Sequence, residues 1–350
     1  MYEEYYGLTA NPFRLTPDRK FWYGSEGHRK AMSYLKYGLY QGEGFIVITG
    51  DVGTGKSTLV SQLFAELDGN DIVAAQIGNT QLDADDTIRL ICSAFEIDSD
   101  TGDKGDLIAI FEEFLIAQNQ MGRRVLLVVD EAQNMPVRAL EELRMLSNFN
   151  MNGTPLFQIF LVGQPQFLQT LGHRDLTQLQ QRVIASYKLA SMTREETEEY
   201  VSHRLETVGW QGSPAFTPGA FDKIHAQCGG VPRLINTLGN RIMLFASLEE
   251  AVEIDGAMVQ TVIEDQKSET IQAGAPAPAA PAAAAAPSAG AAAIPADRFG
   301  KVERAVAVLV KRLERLEERV TEHDDAIHEL IDLAMNSFGN EEPNEELRSA

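Results

Sequence analysis

The sequence has few cysteines, few basic residues and no long uninterrupted apolar run. Its two cysteines, Cys92 and Cys228, lack metal-ligand spacing, which favours a buried, reduced thiol at Cys92 over a metal site. With 30 Lys and Arg against 51 Asp and Glu, the net charge of −21 disfavours nonspecific binding to nucleic acid or to an anionic membrane, although a local basic patch would still permit it. No proline-free apolar run approaches the roughly 20 residues of a transmembrane helix. The acidic N-terminus does not resemble a signal peptide. We therefore expect a cytoplasmic protein, or one held peripherally at the inner membrane by a partner.

A glycine-rich stretch at residues 50–57 fits the phosphate-loop pattern G-x-x-x-x-G-K-[ST]. It follows an apolar run and precedes a helical pattern, which is the context of a true phosphate loop; the alternative is a glycine-rich turn with a chance Lys-Ser pair. Glycines allow backbone N–H groups to approach a polyphosphate. Lys56 would reach the β- and γ-phosphates, and Ser57 would bind Mg²⁺. The predicted nucleotide-binding residues are Gly50, Asp51, Val52, Gly53, Thr54, Gly55, Lys56, Ser57 and Thr58.

Short apolar stretches alternate with helical stretches through the first half of the chain. Five of them are predicted strands, at residues 45–49, 72–77, 125–129, 157–162 and 184–189. This alternation predicts a parallel sheet with helices on both faces. From Thr193 onward the pattern is helical only. A capping box at Thr193, a Thr217-Pro218 start and a cap at Asp255 predict a small helical lid whose last helix ends near Thr270.

The C-terminal part differs sharply in composition. Residues 271–296 carry no charge and are mostly alanine and proline, which predicts a flexible to semi-extended spacer. A heptad pattern follows, which predicts a parallel coiled-coil dimer. Its two apolar rows are Val306, Leu313, Val320, Ile327 and Ala334, and Val302, Leu309, Leu316, His323 and Leu330. Opposite charges at Arg312 and Glu317, and at Arg319 and Asp324, support this pairing; the alternative is one helix packed on its own chain.

Polar residues at the ends of the later strands complete a candidate catalytic site. Asp130 ends an apolar strand and would hold Mg²⁺ through water, and Glu131 would act as general base for the attacking water. Gln164 would contact the γ-phosphate or orient the water if its strand lies between those of Asp130 and the loop; otherwise it is a turn residue. Arg182 would reach the nucleotide of a neighbouring subunit, or else form a surface salt bridge. Arg233 opens a helix and would point to the γ-phosphate across the domain cleft.

Together these positions resemble the AAA+ ATPases over residues 1–268. Within that superfamily the chain looks like the type II secretion-ATPase group, and most like the subfamily encoded with exosortase/PEP-CTERM and exopolysaccharide loci. The residues that carry this likeness are Tyr6-Gly7-Leu8, Asn11-Pro12-Phe13, Pro17-Asp18, Gly42-Glu43-Gly44-Phe45, Asp130-Glu131-Ala132-Gln133-Asn134, Leu146-Ser147-Asn148-Phe149 and Val162-Gly163-Gln164-Pro165. The resemblance implies Mg²⁺-dependent ATP hydrolysis and a homo-oligomer. Where the type II relatives continue into a membrane-anchored periplasmic part, we expect the spacer and the heptad helix in this sequence.

These observations predict a chain of six segments and three candidate functions. The segments are an N-terminal aromatic segment (1–24), an AAA+ α/β domain (25–190), a helical lid (191–270), an Ala/Pro spacer (271–297), a coiled coil (298–335) and an acidic tail (336–350). The chain could be an ATPase that couples the nucleotide cycle to a protein-sorting or exopolysaccharide export complex, without binding nucleic acid or inserting in the membrane. It could instead be a DNA-binding regulator of the transposition-ATPase type, which would need a basic surface. A slow, ATP-switched scaffold is the third candidate.

Overall fold

A computed structural model describes residues 2–16, 18–67, 71–78, 86–98 and 103–273 of the chain, with side chains up to 268. The predicted coiled coil and acidic tail, and the predicted spacer from residue 274, lie outside the described residues. The predicted limits of the domains therefore stay predictions.

The described residues form helices and strands in an alternating order up to β7 and are mainly helical after it. The helices are α1 (Tyr2–Tyr5), α2 (Glu26–Gln41), α3 (Lys56–Leu67), α4 (Thr87–Ala94), α5 (Lys104–Gln120), α6 (Val137–Leu146), α7 (Phe167–Leu171), α8 (Thr177–Gln180), α9 (Arg194–Thr207), α10 (Pro218–Cys228), α11 (Pro232–Leu248) and α12 (Gly256–Ala273). The strands are β1 (Phe45–Gly50), β2 (Ile72–Ile77), β3 (Arg124–Val129), β4 (Asn150–Met151), β5 (Thr154–Pro155), β6 (Phe157–Gly163), β7 (Val183–Leu189), β8 (Ala215–Phe216) and β9 (Glu253–Ile254). Short 3-10 helices lie at Arg19–Phe21, Ala132–Asn134 and Arg174–Leu176.

Five parallel strands form the main sheet, in the order β2-β3-β6-β1-β7, which confirms the predicted sheet. Leu161 of β6 is paired with Val47 of β1 on one side and with Val129 of β3 on the other. Strand β6 therefore lies between the strand that ends at the glycine-rich loop and the strand that ends at Asp130. Because all strands run in the same direction, the residues that follow β1, β3 and β6 meet at one edge of the sheet.

Helices cover both faces of the sheet, and β1 contributes to both cores. Phe45 and Val47 belong to the core that includes residues of α4, α5 and α6, whereas Ile46 and Ile48 belong to the core that includes residues of α2 and α3. Successive strand side chains point to opposite faces, so a strand buried on both sides must be apolar throughout. All six residues of β1 are buried, as this arrangement requires.

Helices α9, α10 and α12 begin at the predicted caps. The capping box at Thr193 is present, Thr217 caps α10 with Pro218 in its first turn, and Asp255 accepts the Met258 N–H. Helix α12 ends at Ala273, three residues beyond the predicted end near Thr270. The residues added are Ile-Gln-Ala, which are compatible with helix, and the first proline of the spacer comes only at position 276. No described helix is long and apolar enough to span a bilayer.

The N-terminal segment packs against α9–α12, which the sequence did not predict. Phe13 is fully buried, and a Cβ on Gly239 of α11 would lie 2.9 Å from its ring, so the helix and the ring are in close contact. The Arg204 guanidinium of α9 donates to the Pro12 carbonyl and lies 4.5 Å from the ring centroid of Phe21. These contacts attach the first residues of the chain to its helical region.

Two adjacent glycines before α11 differ in how closely the rest of the chain approaches them. A Cβ on Gly230 (φ +70°) would lie 1.9 Å from the Met192 carbonyl oxygen, whereas Gly229 (φ +56°) has open space around it. Gly229→Ala should therefore lower the free energy of unfolding by only about 1 kcal/mol, which is the cost of a left-handed backbone for a residue with a Cβ. Gly230→Ala adds a backbone clash and should lower the free energy of unfolding by about 3 kcal/mol or more. Equal losses for the two variants in urea unfolding would contradict this packing.

Candidate active site

The loop between β1 and α3 has the backbone geometry of a phosphate site. Gly53 and Gly55 have φ angles of +83° and +97°, which side chains rarely permit. A Cβ on Gly55 would lie 2.7 Å from the His28 Nε2, and one on Gly53 would lie 2.7 Å from the Arg233 Cβ. Both glycines are therefore needed for backbone conformation and for space. Helix α3 starts at Lys56, inside the glycine-rich stretch, so its N-terminal N–H groups belong to the loop.

Lys56 is buried, and its ammonium lies across the loop. Its Nζ donates to the carbonyl oxygens of Gly50 and Asp51 at 2.8 and 3.0 Å. Burial lowers the pKa of Lys56, and the nearby carboxylates of Glu131, Asp130 and Asp51 oppose that shift. In the part of the chain that the structure describes, both hydrogen bonds of this ammonium go to neutral carbonyls, so the cation can form a charge-assisted contact with a bound anion.

Ser57 and Asp130 meet although they are 73 residues apart in sequence. The Ser57 Oγ donates to the Asp130 Oδ2 at 2.9 Å, and the Gln76 amide of β2 lies 3.4 Å from the same oxygen. Asp130 is itself buried, and its N–H donates to the Ile77 carbonyl at 2.8 Å, which fixes the end of β3. A hydroxyl and a carboxylate fit Mg²⁺, which keeps several waters and completes its ligands with phosphate oxygens. Among the described residues no cluster of three or more His, Cys, Asp or Glu could hold a metal alone.

Glu131 has a left-handed backbone conformation, with φ +53°. Its N–H donates to the Asp130 Oδ1 at 2.9 Å, so the two acidic residues are held in a fixed relation. The Glu131 Oε2 accepts hydrogen bonds from the side-chain amides of Gln133 and, at 3.3 Å, of Gln164. A non-glycine residue in this conformation costs free energy that the surrounding structure must offset, and such residues are concentrated at functional sites.

Gln164 lies where the strand order predicted, beside the Glu131 carboxylate. Its backbone N–H donates to the Gln133 Oε1 at 2.8 Å, and its own Oε1 accepts from the Gln166 amide at 3.0 Å. The residue is therefore part of a hydrogen-bonded group at the shared edge of β3 and β6, not an isolated turn residue.

The two predicted arginines lie near opposite ends of the sheet strands, Arg233 beside the loop that follows β1 and Arg182 just before β7. The Arg233 N–H donates to the Gly53 carbonyl at 3.2 Å, so the start of α11 touches the loop directly. Arg182 precedes β7, and its carbonyl accepts the Phe45 N–H at the start of β1, remote from this chain's own loop. Its guanidinium donates to the Ser147 Oγ at 3.1 Å, and among the described residues no ion pair of Arg182 is present. If Arg182 serves a nucleotide, that nucleotide must belong to another subunit.

His28 packs against the loop, and the sequence analysis did not predict this role. It is buried at 4% exposure, and its Nδ1 lies 2.7 Å from the Oγ of Ser25, which caps α2. Burial lowers the pKa of His28, and a hydrogen bond to the backbone of Thr54 opposes this shift. The imidazole thus packs between the start of α2 and the loop. A single histidine one turn into a helix gives no signal of such a role.

A cavity of about 370 Å³ opens beside the loop. Its walls come from three parts of the chain: the loop with Lys56 and Ser57, the N-terminal segment with Trp22 and Tyr23, and the helical region with Asn236. A cavity of this size, with the phosphate loop on one side, has room for a nucleoside attached to bound phosphates. The N-terminal segment is the part of this wall that the loop pattern alone does not predict.

Comparison with known proteins agrees with this geometry. Residues 39–171, which include the loop, Asp130, Glu131 and Gln164, match the family model described as "AAA domain". This part of the chain is therefore similar to an AAA domain. The match ends before Arg182 and Arg233, so the roles of these two residues rest on their positions alone.

Proteins similar to the chain include one curated sequence and several solved structures. General secretion pathway protein A of Aeromonas hydrophila is 38% identical over 248 residues, which are 70% of this chain and 45% of that protein. The chain thus spans less than half the length of this relative. The structure of Cdc6p from Pyrobaculum aerophilum has a TM-score of 0.57 at 16% identity, covering 76% of this chain and 74% of that one. The ADP form of ORC2 from Aeropyrum pernix has a TM-score of 0.54 at 16% identity, covering 73% and 72%. These likenesses establish the P-loop NTPase fold.

Proposed function

We propose that the chain binds ATP with Mg²⁺ and hydrolyses it to ADP and phosphate. The observation that carries this proposal is the meeting of Lys56, Ser57, Asp130 and Glu131 at one edge of the sheet. Phosphate release should require Mg²⁺ and stop in the presence of a chelator. If calorimetry on the folded protein finds no association with Mg²⁺ and nucleotide at millimolar concentration, the proposal fails.

Each residue of the site has one task in the proposed reaction. The loop N–H groups and Lys56 bind the phosphates, and Ser57 and Asp130 hold the metal. Mg²⁺, when bound, neutralises charge on the β- and γ-phosphates. Glu131 takes a proton from a water whose oxygen bonds to the γ-phosphorus. The bond from the γ-phosphorus to the bridging oxygen breaks, and ADP leaves with that oxygen.

We propose further that the cycle drives or gates a membrane-associated export or sorting complex, with the protein at the cytoplasmic face and held there by a partner. The 38% identity to General secretion pathway protein A supports the link to secretion, and the resemblance to the exosortase/PEP-CTERM group supports sorting or exopolysaccharide export. Deletion of the gene should reduce the exported product at the cell surface. Complementation with the wild type should restore it, and complementation with Glu131→Gln should not.

The position of Arg182 supports the proposal of a homo-oligomer, and mixing two inactive variants tests it. Arg182→Ala keeps the loop but lacks the arginine, whereas Lys56→Ala keeps the arginine but lacks the loop lysine. If Arg182 completes the site of a neighbour, each variant alone should lose about 10³-fold or more in kcat, and their mixture should regain a measurable fraction of the wild-type rate.

The exposed Arg174 offers a matched control for that mixture. Arg174→Ala removes the same charge from the same part of the chain and should leave turnover unchanged.

A site completed between subunits also predicts that wild-type turnover per subunit rises steeply with protein concentration. Turnover independent of concentration, with no recovery in the mixture, would contradict an arginine supplied between subunits.

DNA binding is the second candidate function. It is favoured only by fold, since a Drosophila ORC structure bound to DNA has a TM-score of 0.55 at 15% identity. The net charge of −21 opposes it, because nonspecific DNA binding depends on neutralising phosphates with Lys and Arg. A gel-shift assay at physiological salt separates the two, and a salt-sensitive shift would favour the DNA regulator.

A further inference from the structure

Gln133 connects the proposed general base to the neighbouring strand. Its Nε2 donates to the Glu131 Oε2, and its Oε1 accepts the backbone N–H of Gln164 at 2.8 Å. One side-chain amide thus makes two hydrogen bonds: it donates to the Glu131 carboxylate and accepts from the backbone at the end of β6. The residue is half-buried at the edge of the site, and its role is not explained by core packing.

The backbone around Gln133 leaves room for this bridge. A Cβ on Gly163 would lie 2.9 Å from the Gln133 Oε1, so a side chain there would displace the amide. Gln133 also lies in the short 3-10 helix Ala132–Asn134, directly after the left-handed Glu131. The turn therefore brings the amide back toward the carboxylate two residues before it.

We propose that Gln133 is a positioning residue that fixes the Glu131 carboxylate for proton abstraction and ties its orientation to Gln164. This inference rests on the ATPase function proposed above. A correctly placed general base contributes about 10²–10⁴-fold to rate, and a misplacement of about 1 Å can cost ~10²-fold. Loss of Gln133 should therefore lower kcat by about 10- to 100-fold. Because the described hydrogen bonds of the Gln133 side chain join it to Glu131 and Gln164, outside the loop, the affinity for nucleotide should stay the same.

Two substitutions test the Nε2 donor and the Oε1 acceptor of the Gln133 amide separately. Gln133→Met keeps the length of the side chain and removes both hydrogen bonds. Gln133→Glu keeps an oxygen for the Gln164 N–H but replaces the donor to Glu131 with a second negative charge, which repels the carboxylate. Both variants should lose kcat, and Gln133→Glu should lose at least as much as Gln133→Met. Gln169→Glu, exposed on α7, adds the same charge away from the site and should match the wild type.

The measurements are single-turnover hydrolysis at saturating Mg²⁺ and ATP, calorimetric Kd for a non-hydrolysable ATP analogue, and the melting temperature of the full chain. Lower kcat with an unchanged Kd and melting temperature supports the positioning role. In the Glu131→Gln background, Gln133→Met should lower the remaining rate no further, because a residue that acts through Glu131 has nothing left to orient.

Failure of this inference is distinguishable from failure of the proposed function. If the wild type neither binds nor hydrolyses ATP, the function itself is wrong. If the wild type turns over and Glu131→Gln does not, but both Gln133 variants keep full kcat, only the positioning role is overturned. A fall in kcat that is matched by weaker binding or a lower melting temperature also overturns it, because a merely structural role has that signature.

Discussion

Glu131→Gln should abolish ATP turnover while the protein still binds Mg²⁺ and ATP. The substitution keeps the size of the side chain, and the amide oxygen can still accept from Gln133 and Gln164, which both donate to the Glu131 Oε2 in the wild type. An amide cannot take the proton of the attacking water, so the loss should approach the full contribution of a general base, about 10²–10⁴-fold in kcat. Phosphate release under single-turnover conditions measures the rate, and calorimetry with ATP measures binding.

An exposed glutamate provides the control for this substitution. Glu113 lies on the outer side of α5, and Glu113→Gln removes one negative charge without touching the site. It should leave both turnover and affinity unchanged. Full turnover by Glu131→Gln would refute the assignment of the base. Loss of binding by Glu131→Gln would show instead that the carboxylate holds the bound complex together.

Much of the fold follows from local patterns in the chain. Strand β1 is predicted because its first four residues, Phe45–Ile48, are all apolar, and this pattern is typical of a strand with helices on both faces. The starts of α9 and α10 were predicted because Thr193 and Thr217 satisfy N–H groups within the same turn. These features depend on neighbours a few residues away, which a sequence displays directly.

Contacts between distant residues could not be predicted in the same way. Tyr2 donates to Asn240 at 2.6 Å across 238 positions, and the buried Arg204 donates to the carbonyl of Pro12. Nothing in the aromatic N-terminal segment indicates which surface it covers. Its packing on α9–α12 places Trp22 and Tyr23 in the wall of the cavity, so one side of the candidate site was absent from the sequence-based prediction.

The site itself was predicted in its residue types but not in its hydrogen bonds. The spacing of the loop and the acidic pair indicates Lys56, Ser57, Asp130 and Glu131 as one group. It does not indicate that Glu131 has a positive φ or that Gln133 bridges to β6, because both depend on how the turn after β3 meets its neighbour. The sequence pattern thus identifies the residues of the site, whereas the packing of adjacent strands determines how their side chains are oriented.

Lys56→Ala should weaken the binding of ATP by at least about 100-fold. The Lys56 ammonium is buried and has the carbonyls of Gly50 and Asp51 as its described hydrogen-bond partners, so its charge is available to the β- and γ-phosphates. A charge-assisted contact to phosphate in a site shielded from water is worth several-fold more than one at the surface. The chain should remain folded, because the variant removes a buried cation whose pKa is already lowered by burial.

Calorimetry with Mg²⁺ and a non-hydrolysable ATP analogue measures that loss, and thermal unfolding shows whether the variant stays folded. The matched control is Lys36→Ala on α2, because the Lys36 side chain is 58% exposed and pairs with Glu66 instead of the loop. Lys36→Ala removes the same charge from the chain and should bind the analogue as the wild type does. If Lys56→Ala and Lys36→Ala have equal affinity, the phosphates do not lie on the Lys56 ammonium, and the loop has another ligand. If only Lys56→Ala loses binding and both unfold at the same temperature, the loss belongs to the site and not to the fold.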